Sequence, residues 1–244
     1  MNRFIHRLLY RALPLPLYFR VVSGLLFLSV RLGFGRFSAA TEYIFHLPKL
    51  IDRGGVAIDI GANLGYYSLP LSTIVGNKGR VYSVEPVPII FDILRQNLRG
   101  RDNVELLNIA LGCEECEITM SNDSVATNGY FGTGQNGVGK GSSEGAIEFS
   151  AQMKRGSELF GGLERLDLIK CDIEGYEMVV IPEIRSIIER HKPTVLIETG
   201  GENRSQIVKI FREMNYSAYT LERGCEVAYN PKNDNHKDLI FRCE

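Results

Sequence analysis

Three short runs in this 244-residue chain set acids beside glycines or at the ends of apolar stretches, where they can meet a polar ligand. The first is Asp59-Ile60-Gly61-Ala62-Asn63-Leu64-Gly65-Tyr66-Tyr67-Ser68. Gly61 allows a sharp turn and a close approach of backbone to a ligand. Asn63 tolerates the left-handed backbone that most residues avoid. Gly65 permits close packing of a helix on the preceding strand. The second run is Glu85-Pro86, which ends an apolar stretch 20 residues after Gly65. A carboxylate there can accept both hydroxyl protons of a ribose. The third is Leu166-Asp167-Leu168-Ile169-Lys170-Cys171-Asp172-Ile173-Glu174-Gly175-Tyr176-Glu177. It delivers Asp172 and Glu174, with alternate strand positions pointing them to different sides. One can orient a substrate hydroxyl or take its proton, and the other can hold an ammonium or a backbone turn. The bland alternative is a helix cap, where the dipole favours acids.

The spacing D-x-G-x-N-x-G differs from the G-x-G-x-x-G of dinucleotide sites. Its leading acid, Asp59, repels a pyrophosphate. S-adenosylmethionine carries an ammonium and a sulfonium and no phosphate, so charge favours it over NAD or flavin.

Positioning these residues takes strands that alternate with helices. Residues 55–60 form a short apolar run ending at glycine, as a buried parallel strand does. Strands are predicted at 80–85, 103–109, 166–172, 194–198, 217–221 and 239–241, with helices at 64–75, 88–98, 176–190 and 205–214. Pro88 opens its helix, where a missing N–H costs little. Residues 117–120 and 146–149 pair as a hairpin. Between them lie Gly129, Gly132, Gly134, Gly137, Gly139, Gly141 and Gly145 among polar residues, a composition that predicts a mobile loop without a core. The alternation predicts a doubly wound, mostly parallel, seven-stranded α/β sheet over residues 51–244. The pocket is expected at the carboxyl ends of its strands.

Apolar residues make up 44% of the chain and charged residues 23%, ordinary globular usage, and the net charge of -1 gives no field that selects nucleic acid. The charge is unevenly placed. Residues 1–50 hold Arg3, Arg7, Arg11, Arg20, Arg31, Arg36 and Lys49 against Glu42, a net of +6, leaving −7 on the remainder. This segment also carries the apolar run 21–30, shorter than the about 20 residues a bilayer span needs. It reads as a helical extension that rests on the inner face of a membrane or, equally, packs on the sheet or a second subunit. Five cysteines, an odd number, argue against a disulfide framework and for a reduced, cytoplasmic protein. Cys113 and Cys116 have the spacing of half a zinc site with no second half, so no metal is expected.

Residues 56–71, the strand end Val84-Glu85-Pro86, the run Asn108-Ile109-Ala110-Leu111-Gly112, and residues 169–176 followed by 193–198 together resemble the FkbM family of S-adenosylmethionine-dependent methyltransferases. The resemblance covers about residues 54–200. It implies a Rossmann-like class I methyltransferase fold and O-methylation, often of sugar hydroxyls in glycans or of polyketide-type natural products. By position it implies cofactor roles for Asp59, Gly61, Asn63, Gly65 and Glu85, with neighbours Tyr66 and Pro86, and an adenine-side place for Ala110. Asp172 and Glu174 fall at the methyl-transfer end. Cys171 stands where a small aliphatic is usual, and the glycine-rich stretch 129–145 has no counterpart in the family pattern.

Methyl transfer to oxygen needs the acceptor aligned with the S–CH3 bond and water excluded. A sugar hydroxyl is a poor nucleophile at neutral pH, so a nearby base helps, and Asp172 is the first choice. Two other readings stay open. One is an NAD-dependent oxidoreductase, and the other a relative that binds cofactor or glycan without turnover.

Overall fold

The computed structural model describes residues 3–138, 145–233 and 236–244. The chain opens with helices α1 (Arg3–Ala12), α2 (Leu15–Arg31) and α3 (Glu42–His46). Pro14 precedes α2 and Pro16 lies in its first turn, where no helical N–H bond is lost. Then come β1 (Val56–Ile60), α4 (Ser68–Val75), β2 (Arg80–Val84), α5 (Pro88–Asn97) and β3 (Val104–Leu107). A second group follows: β4 (Ala110–Gly112), β5 (Cys116–Asn122), α6 (Ser124–Asn128), β6 (Asn136–Val138), β7 (Ile147–Arg155) and α7 (Gly156–Phe160). The chain returns through β8 (Leu168–Cys171), α8 (Glu177–Glu183), α9 (Arg185–His191), β9 (Thr194–Glu198) and α10 (Gly201–Glu213). It ends with β10 (Tyr216–Glu222), β11 (Cys225–Ala228) and β12 (Asp238–Cys243).

The main sheet has the order β11-β10-β12-β9-β8-β1-β2-β3. Strands from β3 to β9 run parallel, and β12, β10 and β11 add on antiparallel. Strand β1 is central, and its order reverses there from β2 on one side to β8 on the other, which makes the switch point where such sheets bind ligands. Every residue of β8 is buried, as a strand covered on both faces requires. One face packs Ile58, Ile60, Ile169, Val195 and Phe241 against α8, α9 and α10. The other packs Ala57, Val81, Leu168, Leu196 and Ile240 against α4 and against Tyr43, Ile44, Leu47 and Leu50.

Three expectations need correction. The sheet has eight strands, because β11 adds an edge by hairpin to β10. The strand expected over 103–109 ends at Leu107, since Asn108 Nδ2 donates to the carbonyls of Glu85 (2.8 Å) and Pro86 (3.0 Å) and turns the chain away. The helix expected over 176–190 is two, α8 and α9, meeting at Ile184 just after Pro182. The hairpin holds and is longer than expected: β5 pairs antiparallel with β7, with Thr119 opposite Ser150, in a second sheet of order β4-β7-β5-β6.

The glycine-rich stretch is not coreless where it is described. Phe131 is 1% exposed and packs edge-on to Phe19 and Phe149. Asn136–Val138 is a strand on β5. One aromatic anchor and one strand pairing outweigh the glycines around them. Residues 139–144 lie outside the described residues.

The N-terminal helices press on this second sheet and on α5. Tyr18 and Phe19 are buried against Leu64, Ile90 and Phe131, each contributing about 1.5–3 kcal/mol of apolar burial. His6 stacks on Tyr130 with ring centroids 4.8 Å apart, and Arg7 Nε donates to Asn128 O at 2.7 Å. Further along, Tyr43 donates its hydroxyl to Asp238 O (2.8 Å), and His46 sits 2.7 Å from Glu226. The outer side of the arm is different. Nine of the ten exposed large apolar side chains among the described residues lie between Phe4 and Phe37. No helix of the described residues is long and apolar enough to cross a membrane.

Candidate functional site

Strand β1 ends at Ile60, and the chain turns through Gly61 (φ 78°), Asn63 (φ 53°) and Gly65 (φ 92°) before α4. A Cβ on Gly61 would sit 1.9 Å from the carbonyl oxygen of Asp172, so this position faces the neighbouring loop at van der Waals limits. The glycine at 65 serves packing as expected, though its neighbour is Leu94 on α5, 3.1 Å from an added Cβ. The turn is tied to β2: the Gly61 and Ala62 amides donate to Val84 O, and the Asn63 amide donates to Glu85 Oε2 at 2.9 Å.

Glu85 is 5% exposed, and its other oxygen accepts the Val87 N–H at 2.9 Å. Burial pushes its carboxyl up to about 7, against the pull of those two amides. Each oxygen keeps a lone pair for a further donor. Glu85 borders a pocket with Gly61, Asn63, Pro86, Ala110, Asp172 and Glu174. The pocket's apolar wall is Ile109, Leu111, Met120 and Val138, and Thr133 and Gly134 of the glycine-rich stretch close it from above. The second sheet thus supplies one wall of the site.

The structure sorts the sequence-chosen residues into three places. Gly61, Asn63, Glu85, Pro86, Ala110, Asp172 and Glu174 come together around this pocket. Asp59 and Gly65 stand behind it. Asp59 is 1% exposed and accepts the Ser68 hydroxyl at 2.5 Å, and Ser68 in turn accepts from Ser83 at 2.8 Å. Burial raises the Asp59 carboxyl to about 6, opposed by Ser68 and Lys170. Tyr66 faces a second cleft, beside α2.

Asp172 and Glu174 lie past the end of β8, in a loop where Glu174 has φ 55°, so strand alternation does not set their directions. The capping task falls to Glu177, whose Oε1 accepts the amides of Ile173 (3.0 Å) and Gly175 (3.2 Å). Asp172 and Glu174 both border the pocket instead.

Sequence reasoning missed Lys170, Glu198 and Asp238. Lys170 is 1% exposed, with Nζ 3.5 Å from Asp172 and 3.8 Å from Asp238, and 4.9 Å above the Tyr67 ring. Burial alone lowers its pKa, but Asp172, Asp238 and Asp59 outweigh burial and hold the ammonium above its usual range. Glu198 ends β9, and burial with Asp172 and Asp238 nearby pushes its carboxyl up to about 7. Asp238 opens β12 at the same edge, and burial raises it too. The available signal was a lysine inside the apolar run Leu168-Ile169-Lys170-Cys171. A buried lysine requires acids nearby.

The donor set fits S-adenosylmethionine. Glu85 suits ribose hydroxyls, the apolar wall suits a purine, and acids with no Lys or Arg among the described lining residues suit a cationic methionine end. The same set disfavours a pyrophosphate.

Comparison with known proteins agrees. The family model for the methyltransferase FkbM domain matches residues 59–219, about two thirds of the chain. A methyltransferase of Sordaria araneosa, sdnD, is 26% identical over 208 residues, covering 72% of this chain and 78% of its own. Protein-L-isoaspartate O-methyltransferase 1 of Archaeoglobus fulgidus is 31% identical over 80 residues, 31% of this chain and 37% of its own. The crystal structure of methyltransferase FkbM from Methylobacillus flagellatus superposes with TM-score 0.50 at 16% identity, over 79% of this chain and 44% of that longer one. These matches remove the oxidoreductase reading: the chain belongs to the FkbM family of methyltransferases, a Rossmann-like enzyme family whose cofactor is S-adenosylmethionine.

Proposed function

We propose that this methyltransferase acts on a hydroxyl oxygen of a small acceptor, a sugar in a glycan or natural product. The observation that carries the proposal is the place of Asp172. It borders the nucleoside pocket and also a cleft lined by Glu198, Lys237 and Asp238. When bound, S-adenosylmethionine supplies an already activated methyl group, so the chain's task is alignment, water exclusion and proton removal. Glu85 takes the ribose hydroxyls and Glu174 the ammonium. Asp172 accepts the hydrogen bond of the acceptor hydroxyl and orients it. Glu198, raised to about 7, is matched to receive a proton near neutral pH. Labelled methyl transfer to glycan and lipid-linked sugar fractions tests this, with an alkali-stable methyl ether as the expected product. A base-labile ester, an N-methyl product or no incorporation would overturn it.

Glu85→Ala is expected to weaken S-adenosylhomocysteine binding by about 1.5–3 kcal/mol, roughly 10- to 150-fold, from one lost charge-assisted contact. Asp59→Ala, behind the pocket, is expected to leave that affinity within a few-fold and to lower the thermal midpoint instead. Calorimetric titration and a melting curve on both variants check the pair. Equal loss of affinity in both would return Asp59 to the pocket.

We further propose that the arm rests on an anionic lipid surface. Its support is the exposed set Phe4, Leu8, Leu32, Phe34 and Phe37 beside Arg3, Arg7, Arg11, Arg31 and Arg36. Near such a surface each Arg contributes about 1 kcal/mol. Full-length protein is expected to co-sediment with phosphatidylserine-containing vesicles, less so at high salt. A Phe34→Ser/Phe37→Ser variant should bind less. Sedimentation indifferent to salt and to these changes would end the idea.

A further inference from the structure

Two clefts beside the nucleoside pocket share Asp172, Glu198 and Lys237, so they form one groove that passes over the carboxylates. Its two limbs differ in chemistry. On one side lie Thr199, Asn203 and His236. On the other lie Val22, Leu25, Leu26 and Ile44, carried by α2 and α3. Two buried oxygens along this groove have no hydrogen-bond partner among the described residues: Thr199 Oγ1 in the polar limb and Asp238 Oδ1 at the carboxylates. Asp238 Oδ1 has the Lys170 ammonium 3.8 Å away but no hydrogen bond, and a buried oxygen without one costs free energy that a ligand hydroxyl would recover.

We propose that the groove is the acceptor site and that it takes an amphiphile, with a polyhydroxyl head in the polar limb and an aliphatic chain laid along α2. This rests on the hydroxyl-methylation reading and names the acceptor class of that same site. The reacting hydroxyl then lies at Asp172, where groove and nucleoside pocket meet. The head's other hydroxyls donate to Asp238 and exchange a hydrogen bond with Thr199. The chain leaves between the helices of the arm, so the N-terminal segment is the specificity element for the tail. The sugar-free end of the acceptor, which the methyl never touches, decides the affinity.

The probes are methyl β-glucoside and n-octyl β-glucoside below its micelle concentration, titrated by calorimetry into the full-length protein saturated with S-adenosylhomocysteine. The octyl compound is expected to bind at least about tenfold more tightly, since each buried methylene contributes to transfer from water. Two variants test the limb: Leu26→Asp removes its apolar character, and Ala40→Trp, at an exposed position on the same wall, fills it. Both should abolish the preference and keep S-adenosylhomocysteine affinity. Equal binding of the two glycosides, or no binding of either, overturns the amphiphile. A preference that persists in both variants places the octyl chain on the arm's exterior and also overturns it. In each of these cases intact cofactor binding and methyl-ether formation would leave the hydroxyl-methylation reading standing, while their loss would overturn that reading instead.

Discussion

Lys170→Met is expected to lower the unfolding free energy by about 3–5 kcal/mol, the range found when one partner of a buried ion pair is removed. The lysine occupies a strand position with no exposure, and Asp172, Asp238 and Asp59 surround its ammonium. Met has similar volume and unbranched shape, so the core stays filled and the lost charge is the main change. Without this cation, the buried acids repel one another with Lys237 and Arg204 alone to offset them. The loss should grow with pH. Asp59 is raised by burial to about 6 and Glu198 to about 7, and a carboxyl raised in the folded state binds its proton more tightly folded than unfolded. Folding stability therefore falls as pH rises through those values. Urea midpoints at pH 5 and pH 8 should separate wild type and variant more at pH 8. Equal midpoints at both would mean that the acids are neutral with the lysine in place, and that the cluster holds no compensating charge.

Asp172→Asn is expected to cut turnover by about 10²–10⁴ with S-adenosylhomocysteine affinity changed by a few-fold at most. The amide keeps the volume and one acceptor oxygen, so the nucleoside pocket it borders stays closed. What it loses is the negative charge that orders the acceptor hydroxyl for transfer of its proton to Glu198. The companion change is Glu198→Gln. A base with a carboxyl near 7 gives a rate that rises with pH through 7, because only the deprotonated form accepts the proton. Glu198→Gln should flatten that limb of the kcat profile, whereas Asp172→Asn should lower the whole curve. A full rate in Asp172→Asn with an identified acceptor would remove Asp172 from the placement of the acceptor hydroxyl. An unchanged profile in Glu198→Gln would remove that residue from the proton path.

The parallel half of the sheet was readable because each strand there is a short apolar run ending at a chemically distinct residue: Asp59-Ile60-Gly61, Val84-Glu85-Pro86, Cys171-Asp172. Those endings also marked the nucleoside pocket. Local pattern could not show that β12 inserts between β9 and β10, which is what carries Asp238 to Lys170 across 68 residues of chain. Glu198 reads in isolation as a solvated strand end. Its role depends on Asp172 and Asp238 arriving from other strands. Asp59 was misplaced for the opposite reason. Its motif position suggested contact with a ligand, yet it is a residue of β1 itself, and its carboxylate is taken by the Ser68 hydroxyl. The glycine-rich stretch misled by composition, because a count of glycines does not weigh Phe131.

The contact between Gly61 and the Asp172 carbonyl has a mechanical side. With no room even for a methyl group between them, the turn after β1 and the turn after β8 cannot move closer, and the Asp172 N–H, donating to Ile60 O at 3.0 Å, resists their separation. Thermal displacement of one is passed to the other as common motion. The gap between what sits on the first turn and what sits against the second is therefore set by direct contact rather than through the rest of the sheet. For a reaction in which a few tenths of an ångström along one line set the barrier, this bracing lets the loops breathe without detuning the transfer distance.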